Sequence, residues 1–182
     1  MSLFNFLKIA IKDYRTVGAM APGSRYFSRR VAKTISPDAK LVVEIGPGSG
    51  VITKEILRVL PREGRLIVIE LKDDFITALH KIQDPRLSII RGNAFEILSE
   101  PERFGLINVD AIISGIPFLV FSSQTKDDLV AKTHKILKHG GTFSFYQNLP
   151  LLNQQLKNCF KKISWQFEPR NIMPYFIFTA QK

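Results

Sequence analysis

One nine-residue stretch, residues 42–50, combines residue types that could bind a charged or polar small molecule. It reads Val-Val-Glu-Ile-Gly-Pro-Gly-Ser-Gly, so a carboxylate, Glu44, precedes glycines at positions 46, 48 and 50. The apolar residues before it predict a strand, and a helical pattern over Val51–Leu60 follows at once. A strand, a glycine turn and a helix bring the backbone of an α/β sheet against an anionic or polar ligand.

The spacing of the glycines indicates which ligand. A dinucleotide fingerprint requires G-x-G-x-x-G, but Val51 occupies the third glycine position. The pattern Glu-x-Gly-x-Gly-x-Gly instead resembles motif I of the class I S-adenosylmethionine (SAM)-dependent methyltransferases. SAM carries an ammonium that Glu44 could bind, and glycines permit positive φ and leave bare backbone for a ligand. The alternative is a tight strand–helix turn without a ligand.

A second acid supports the same interpretation. Arg65–Glu70 reads as a buried strand that ends in a carboxylate, 20 residues after Gly50. An acid at the end of the second strand can accept both hydroxyls of a ribose. The alternative is a solvated charge at a strand end.

The resemblance extends the predicted cofactor site to two further strand ends. Asn93, after Gly92, would face the adenine N6 with its side-chain oxygen, although Asp is commoner there, and Ser114 and Gly115 would lie between cofactor and acceptor. The residues expected to bind SAM are Glu44, Gly46, Pro47, Gly48, Gly50, Glu70, Leu71, Asn93, Ala94, Ser114 and Gly115.

The stretch Ser114-Gly-Ile-Pro-Phe118 lies where methyltransferases position the acceptor. Amine-modifying members often have Asn/Asp/Ser-Pro-Pro-Tyr/Phe, in which the polar groups bind the target nitrogen and the ring packs on it. Gly115 and Ile116 depart from that pattern, which weakens a base-methylating interpretation. The alternative for Phe118 is a core position.

Residues 17–33 carry a Gly-Ala-x-Ala-Pro run that, with the Ser-Gly-x-Pro motif, resembles bacterial phospholipid N-methyltransferases. The resemblance spans residues 4–180. It implies that the lipid acceptor contacts Pro22, Ser24, Arg25, Tyr26, Ile116, Pro117 and Phe118. The ribosomal RNA adenine dimethyltransferases share the layout; they typically carry an additional C-terminal helical domain, which we do not expect here.

The pattern of elements predicts the α/β class. Strands are expected over 65–70, 87–91, 109–114, 142–147, 163–167 and 175–180, with helices between them, and His139-Gly140-Gly141 as the C-cap of a helix over Ser122–Lys138. The family resemblance implies a Rossmann-like, mostly parallel seven-stranded sheet with an antiparallel last strand. We expect one domain, residues 1–182, comprising an N-terminal cap (1–36) and a cofactor-binding core (37–182).

Charge is distributed unevenly along the 182 residues. The net charge is +10, with seven basic residues and one acid in 1–33, and eight basic residues and one acid in 132–182. Such ends favour a polyanionic partner, either an anionic membrane or a nucleic acid. On a helical wheel Lys8, Lys12 and Arg15 oppose an apolar face, which is typical of an interfacial membrane helix. The alternative is a helix that packs on the sheet.

Other composition features set the expected location. A single cysteine, Cys159, excludes an internal disulfide. Neither a transmembrane run nor a signal-peptide pattern is present, so we expect a cytoplasmic protein, peripheral on the inner face of the membrane. The three histidines lack metal-ligand spacing, and no metal is expected. The oligomeric state stays open.

These observations predict an N-methyltransferase that acts on phosphatidylethanolamine and its methylated intermediates. An ammonium must lose its proton before it can attack, and Tyr26 and Tyr146 are the candidate proton acceptors. The alternatives are an RNA adenine N6-methyltransferase, another small-molecule methyltransferase, and a binding protein without catalysis.

Overall fold

The computed structural model describes residues 24–118, 121–148, 154–171 and 174–182. The expectations for Lys8, Lys12, Arg15 and Pro22 lie outside the described residues. The strands are β1 (Leu41–Ile45), β2 (Arg65–Glu70), β3 (Leu87–Arg91), β4 (Val109–Ser114), β5 (Leu137–Gln147), β6 (Lys162–Glu168) and β7 (Tyr175–Gln181). The helices are α1 (Arg25–Ala32), α2 (Val51–Val59), α3 (Asp73–Leu79), α4 (Ala94–Ile97), α5 (Ser123–Ile136) and α6 (Gln154–Cys159), with a 3-10 turn at Pro101–Phe104.

The strands form one sheet in the order β3-β2-β1-β4-β5-β7-β6. The pairs from β3 to β5 are parallel, and β7 runs antiparallel to both β5 and β6. The predicted α/β class, the seven strands and the antiparallel last strand are confirmed.

The central strands are apolar along nearly their whole length because helices cover both faces of the sheet. In β1, Val43 and Ile45 point to one core, which receives side chains of α4, α5 and α6. Val42 points to the other core, which contains Phe27 and Val31 of α1 together with side chains of α2 and α3. Burial of each such side chain contributes roughly 1.5–3 kcal/mol.

The order of the strands fixes where a ligand can bind. From β1 the chain adds β2 and β3 on one side and then crosses to add β4 on the other. Ligands of open α/β sheets bind beyond the carboxyl ends of the strands at such a switch point. The glycine turn after β1 and the Ser-Gly-Ile-Pro segment after β4 therefore meet at the same edge.

The predicted glycine C-cap is wrong. α5 ends at Ile136, and β5 begins at the next residue, so that Gly140, with φ +77°, lies in an irregular part of β5. The Lys182 ammonium donates to the carbonyls of His134 and Leu137, each at 2.7 Å. A long-range lysine thus satisfies carbonyls at this helix end, the role that a local glycine turn often fills.

Within the described parts of the chain, the helices are too short or too polar to cross a bilayer.

Candidate active site

The glycine turn after β1 has the backbone conformation that its sequence predicts. Gly46, Gly48 and Gly50 have φ values of +69°, +59° and +78°. The Gly46 amide donates to the Ile69 carbonyl at 2.9 Å, which joins the turn to the end of β2. A Cβ on Gly50, the N-cap of α2, would meet the Leu79 side chain at 3.0 Å. Side chains at these positions would therefore be strained.

Glu44 is a buried carboxyl beneath this turn, with 2% of its surface exposed. Its Oε2 accepts a hydrogen bond from Thr53 Oγ1 of α2 at 2.7 Å. Burial raises the pKa of Glu44 to about 8; the Thr53 hydrogen bond opposes the shift and the charge of Glu70 adds to it. Without a nearby cation the carboxyl holds its proton at neutral pH. A bound ammonium would favour the ionised form.

Glu70, at the end of β2, ties two loops together. Its Oε2 accepts from the Gly48 amide at 3.1 Å, and its Oε1 accepts from the Leu71 and Lys72 amides at 2.8 and 3.0 Å. The carboxylate is 7% exposed. Three backbone amides thus hold the Glu70 carboxylate at the position where an acid was predicted to bind a ribose.

A cleft with about 410 Å³ of free space, part of it open to solvent, lies at this edge of the sheet. Its lining residues are Ile45, Gly46, Ile69, Glu70, Leu71, Gly92, Asn93, Ala94, Phe95 and Ile116. The walls are mostly apolar, and a carboxylate and a carboxamide are the polar side chains. Such a slot suits a flat heteroaromatic ring attached to a diol.

Asn93 lines the cleft, but its side-chain oxygen already has a partner. Oδ1 accepts from the Phe95 amide at 3.0 Å and caps α4. Nδ2 lies 3.4 Å from Glu96 Oε1. A carbonyl oxygen has a second lone pair, so the cap leaves Asn93 able to accept one more hydrogen bond. Its assignment to adenine stays a prediction.

The end of β4 contacts the glycine turn through Gly115. The Gly115 amide donates to the Ile45 carbonyl at 2.7 Å. A Cβ on Gly115 would lie 2.5 Å from the Gly46 carbonyl oxygen and 2.7 Å from the Tyr146 hydroxyl. Only glycine therefore fits between the glycine turn and Tyr146. This explains the departure from the Pro-Pro pattern at position 115.

The rest of the predicted acceptor motif divides between the cleft and the core. Ile116 forms part of the cleft wall, and Pro117 is buried. Phe118 is fully buried and stacks on Phe145, with ring centroids 4.6 Å apart. The structure thus places Phe118 at a core position, which was the alternative interpretation, and its contact with an acceptor stays a prediction.

The predicted substrate residues Ser24, Arg25 and Tyr26 begin α1. Ser24 Oγ accepts from the Phe27 amide at 3.2 Å, and the Ser24 amide donates to Asn171 Oδ1 at 2.7 Å. Arg25 is exposed, and Tyr26 is 56% exposed beneath the Arg170 guanidinium, 4.6 Å from its ring centroid. Residues 168–171 therefore fix the start of α1.

Sequence reasoning missed the anchor of that contact. Glu168 is fully buried and accepts two hydrogen bonds from the Arg170 guanidinium, at 2.8 and 3.0 Å, and one from the Arg170 amide at 3.0 Å; Arg30 Nε of α1 lies 3.2 Å away. The Arg170 hydrogen bonds, helped by the Arg30 charge, lower the pKa of Glu168 to about 2 against the effect of burial. Arg170 is only two residues away in the sequence, but Arg30, which links Glu168 to α1, comes close only in the folded chain, so the contact left no signal in the sequence.

Four other residues of the site were also missed. Thr53 of α2 hydrogen-bonds Glu44, and Ile45, Ile69 and Phe95 line the cleft. Ile45 and Ile69 are apolar strand residues whose types indicate only burial. Thr53 follows Glu44 by nine residues, and the length of the glycine turn could have suggested the pairing.

Comparisons with known proteins agree with this geometry. No protein-family model matches the chain. It is 29% identical over 175 residues to the ornithine lipid N-methyltransferase of Singulisphaera acidiphila, covering 94% of this chain and 91% of that protein. It is 36% identical over 86 residues to the ribosomal RNA small subunit methyltransferase A of Xanthomonas euvesicatoria, covering 46% of this chain and 32% of that protein.

Solved structures share the fold. The O-methyltransferase TomG of Streptomyces achromogenes, in complex with SAM, superimposes with a TM-score of 0.67 at 14% identity, covering 97% of this chain and 90% of that one. Spermidine synthase of Thermotoga maritima gives 0.64 at 21% identity, covering 84% of this chain but only 56% of that one. The relatives and the fold together indicate a SAM-dependent methyltransferase with the class I fold.

The residues at the site fit SAM. The site has a buried carboxyl, Glu44, that lacks a cationic partner among the described residues, a turn of left-handed glycines, and an apolar cleft with Glu70 on its wall. Glu44 would pair with the ammonium of SAM, the glycine turn would let its amino-acid part lie against the backbone, and the cleft with Glu70 would hold its nucleoside.

Proposed function

We propose that this methyltransferase acts on the amine of a membrane lipid, with phosphatidylethanolamine and its methylated intermediates as acceptors. The similarity to an ornithine lipid N-methyltransferase over nearly the whole of both chains carries the proposal. Phosphatidylethanolamine and ornithine lipid both offer an amine on a flexible headgroup. We assign residues 1–36 to the lipid-facing cap and residues 37–182 to the core that binds SAM.

In this proposal each strand end has one task. SAM supplies a methyl group on a positively charged sulfur, ready for in-line displacement. Glu44 pairs with its ammonium, and Glu70 accepts from its ribose. Ser114 and Gly115 hold the acceptor nitrogen at the neighbouring strand end, so that alignment and exclusion of water supply most of the rate enhancement.

The acceptor amine must be neutral to attack, although an alkyl amine titrates near 10. Tyr146 is the better placed of the two candidate proton acceptors because its hydroxyl lies against Gly115. Tyr26 is exposed at the surface. If the Tyr146 hydroxyl accepts the ammonium proton and passes its own proton to water, Tyr146→Phe will lower methylation severalfold more at about pH 7 than at about pH 9, whereas Tyr26→Phe will not. Equal losses at both pH values would remove Tyr146 from this role.

A ribosomal RNA acceptor is the second candidate, supported by the 36% identity over 86 residues. The basic chain ends would serve RNA phosphates as well as lipid phosphates.

One experiment separates the two. Labelled SAM is offered with vesicles of phosphatidylethanolamine, with vesicles containing ornithine lipid, and with unmodified small-subunit ribosomal RNA. We expect label in a lipid extract. Label confined to the RNA would overturn the lipid proposal, and Glu44→Gln is the control that should lower labelling in every tube.

A further inference from the structure

The outer edge of the sheet carries aromatic rings that the active site does not use. In β6, the edge strand, Trp165 is 54% and Phe167 42% exposed. Both rings pack against Phe176 of β7, with centroids 5.6 and 4.9 Å away. Proteins usually protect a sheet edge, so exposed aromatic rings there indicate a binding surface.

The segment that leads into β6 is positively charged. Leu156 of α6 belongs to the core against which Phe176 packs, so α6 covers the face of the sheet that carries these rings. Lys157 of α6 and Lys161, just before β6, are exposed. Between residues 154 and 171 the sequence contains a single acid, Glu168, which is buried and paired with arginines.

We propose that this surface, the β6 edge (Trp165, Phe167, Phe176, Lys157 and Lys161), docks on a bilayer containing anionic lipid. Trp and Phe rings bind favourably at the level of the lipid headgroups, and lysines beside them attract anionic lipid. The biological use of the surface rests on the proposed lipid acceptor, whereas the docking itself is measured without methylation.

The arrangement of the rings favours a bilayer over RNA. Trp165 and Phe167 are tilted by 58° and 39° against Phe176, so the rings do not form a parallel stack. Successive bases stack on exposed aromatic faces instead. A second copy of the chain is also disfavoured, because a two-fold contact through this edge would bring Lys157 and Lys161 towards their own counterparts.

Trp165 is the only tryptophan of the chain, so its fluorescence reports on this surface alone. We expect vesicles of phosphatidylcholine with phosphatidylglycerol to shift its emission to shorter wavelength, and brominated lipid to quench it. Vesicles of phosphatidylcholine alone should give a smaller shift, because they lack the negative charge.

Variants test each part of the β6 edge by co-sedimentation with the same vesicles. Phe167→Ala should lower the partition coefficient about tenfold. The double variant Lys157→Gln/Lys161→Gln should lower it by roughly fivefold for each lysine. The matched control Arg62→Gln/Lys81→Gln removes two exposed charges near β2 and β3, far along the sheet, and should partition like the unmodified chain. Thermal unfolding checks that every variant is folded.

Three results would overturn the proposal. These are unchanged Trp165 emission with anionic vesicles, a response to single-stranded RNA but not to vesicles, and a concentration-dependent emission shift without lipid, which would indicate a dimer. Docking without methylation of any lipid would refute the proposed function and support docking through the β6 edge. Methylation of a monomeric short-chain lipid, with Trp165 still in water, would support the proposed function and refute the docking.

Discussion

At the scale of single residues, the site holds a carboxyl whose charge state depends on its ligand. Glu44 is buried and accepts a hydrogen bond from Thr53, and its pKa is raised to about 8. The position that is expected to bind an ammonium is therefore neutral until a cation arrives. Two measurable consequences follow, one for stability and one for binding.

The first consequence concerns stability. An unfolded glutamate titrates near 4.5, so between there and about 8 the folded chain holds a proton that the unfolded chain has lost. The contribution of Glu44 is fully present below 4.5 and is lost as the pH rises through about 8, at about 1.4 kcal/mol per pH unit. Glu44→Gln should thus gain stability relative to the unmodified chain between about pH 6 and pH 8, measured by urea unfolding. A constant difference across that range would contradict the raised pKa.

The second consequence concerns the cofactor. If the ammonium of SAM requires an ionised Glu44, binding near neutral pH must release a proton, and the affinity must rise with pH towards about 8. Calorimetry in buffers of different ionisation enthalpy measures the released proton directly. Glu44→Gln should bind more weakly, by tenfold or more, and without proton release. Thr53→Ala is the matched control that removes the hydrogen bond and keeps the carboxyl.

Gly115 offers a different prediction, based on contact distances. A Cβ there would overlap the Gly46 carbonyl oxygen at 2.5 Å. Gly115→Ala should displace the glycine turn and lower SAM affinity at least tenfold, with a loss of roughly 1–3 kcal/mol of stability. Gly141→Ala, whose Cβ would be crowded at 3.0 Å by the Lys138 and Val109 carbonyls, should cost stability and leave SAM binding intact. Equal binding losses in both variants would mean that Gly115 has no local role.

The residues that the sequence could identify are those whose type is unusual for their local position. A carboxylate inside an apolar strand and three glycines in alternation stand out in any strand, which is why Glu44 and the glycine turn were found. Thr53 and Phe95 are ordinary helix and core residues, and only the fold brings them to the site. Phe118 was ambiguous for the same reason, since an aromatic residue suits both an acceptor pocket and a core.

At the scale of elements, an ionic contact with the end of β6 holds α1 in place. Glu168 ends β6 and joins Arg170 to Arg30 of α1, while Ser24 bonds Asn171. α1 also buries Phe27 and Val31 on the sheet. Apolar burial thus attaches the helix, and the polar contacts set how its first turn, with Tyr26, is presented.

The variant Glu168→Gln tests whether the polar contacts, separately from apolar burial, position the first turn of α1. The low pKa of Glu168, about 2, means that its contribution is present above 4.5 and is lost as the pH falls through 2. At neutral pH the variant should melt roughly 5 °C lower and expose the start of α1 to protease, with SAM affinity unchanged. Glu102→Gln, an exposed acid far along the sequence in the 3-10 turn, is the control. Lost SAM binding in Glu168→Gln would place the contact within the cofactor site.

The elements themselves were predictable where the apolar pattern is sharp. Strands over 65–70, 87–91 and 109–114 match the structure. β2 and β4 are largely buried and read as mostly apolar runs, whereas β3, at the edge of the sheet, is half-buried and was marked by its Ile-Ile pair. The boundary between α5 and β5 was misplaced since Lys182, distant in sequence, satisfies the last carbonyls of the helix. Local rules cannot anticipate a partner that only the folded sheet supplies.

At the scale of the whole molecule, the charge is distributed unevenly between the centre and the ends of the chain. The central residues 34–131, which contain β1–β4, hold eleven basic and fourteen acidic residues, whereas residues 132–182 hold eight basic residues and one acid. The half that surrounds the cleft is therefore close to neutral, and the basic charge lies at the chain ends. A cationic cofactor and an anionic surface can then bind the same molecule without competing for the same charges.

This separation predicts that salt weakens bilayer partitioning much more than SAM binding. Raising the ionic strength from about 0.1 M to about 1 M shortens the screening length from about 10 Å to about 3 Å, which weakens attraction between exposed charges much more than contacts inside a cleft. Partitioning of the full chain on phosphatidylglycerol vesicles should therefore fall more than tenfold, while SAM affinity changes less than threefold. A chain without residues 1–16 should start from weaker partitioning and show a shallower dependence on salt, because fewer charges remain to be screened. Partitioning that did not respond to salt would mean that the basic ends do not attract the bilayer, and the aromatic rings of the β6 edge would then have to account for all of the binding.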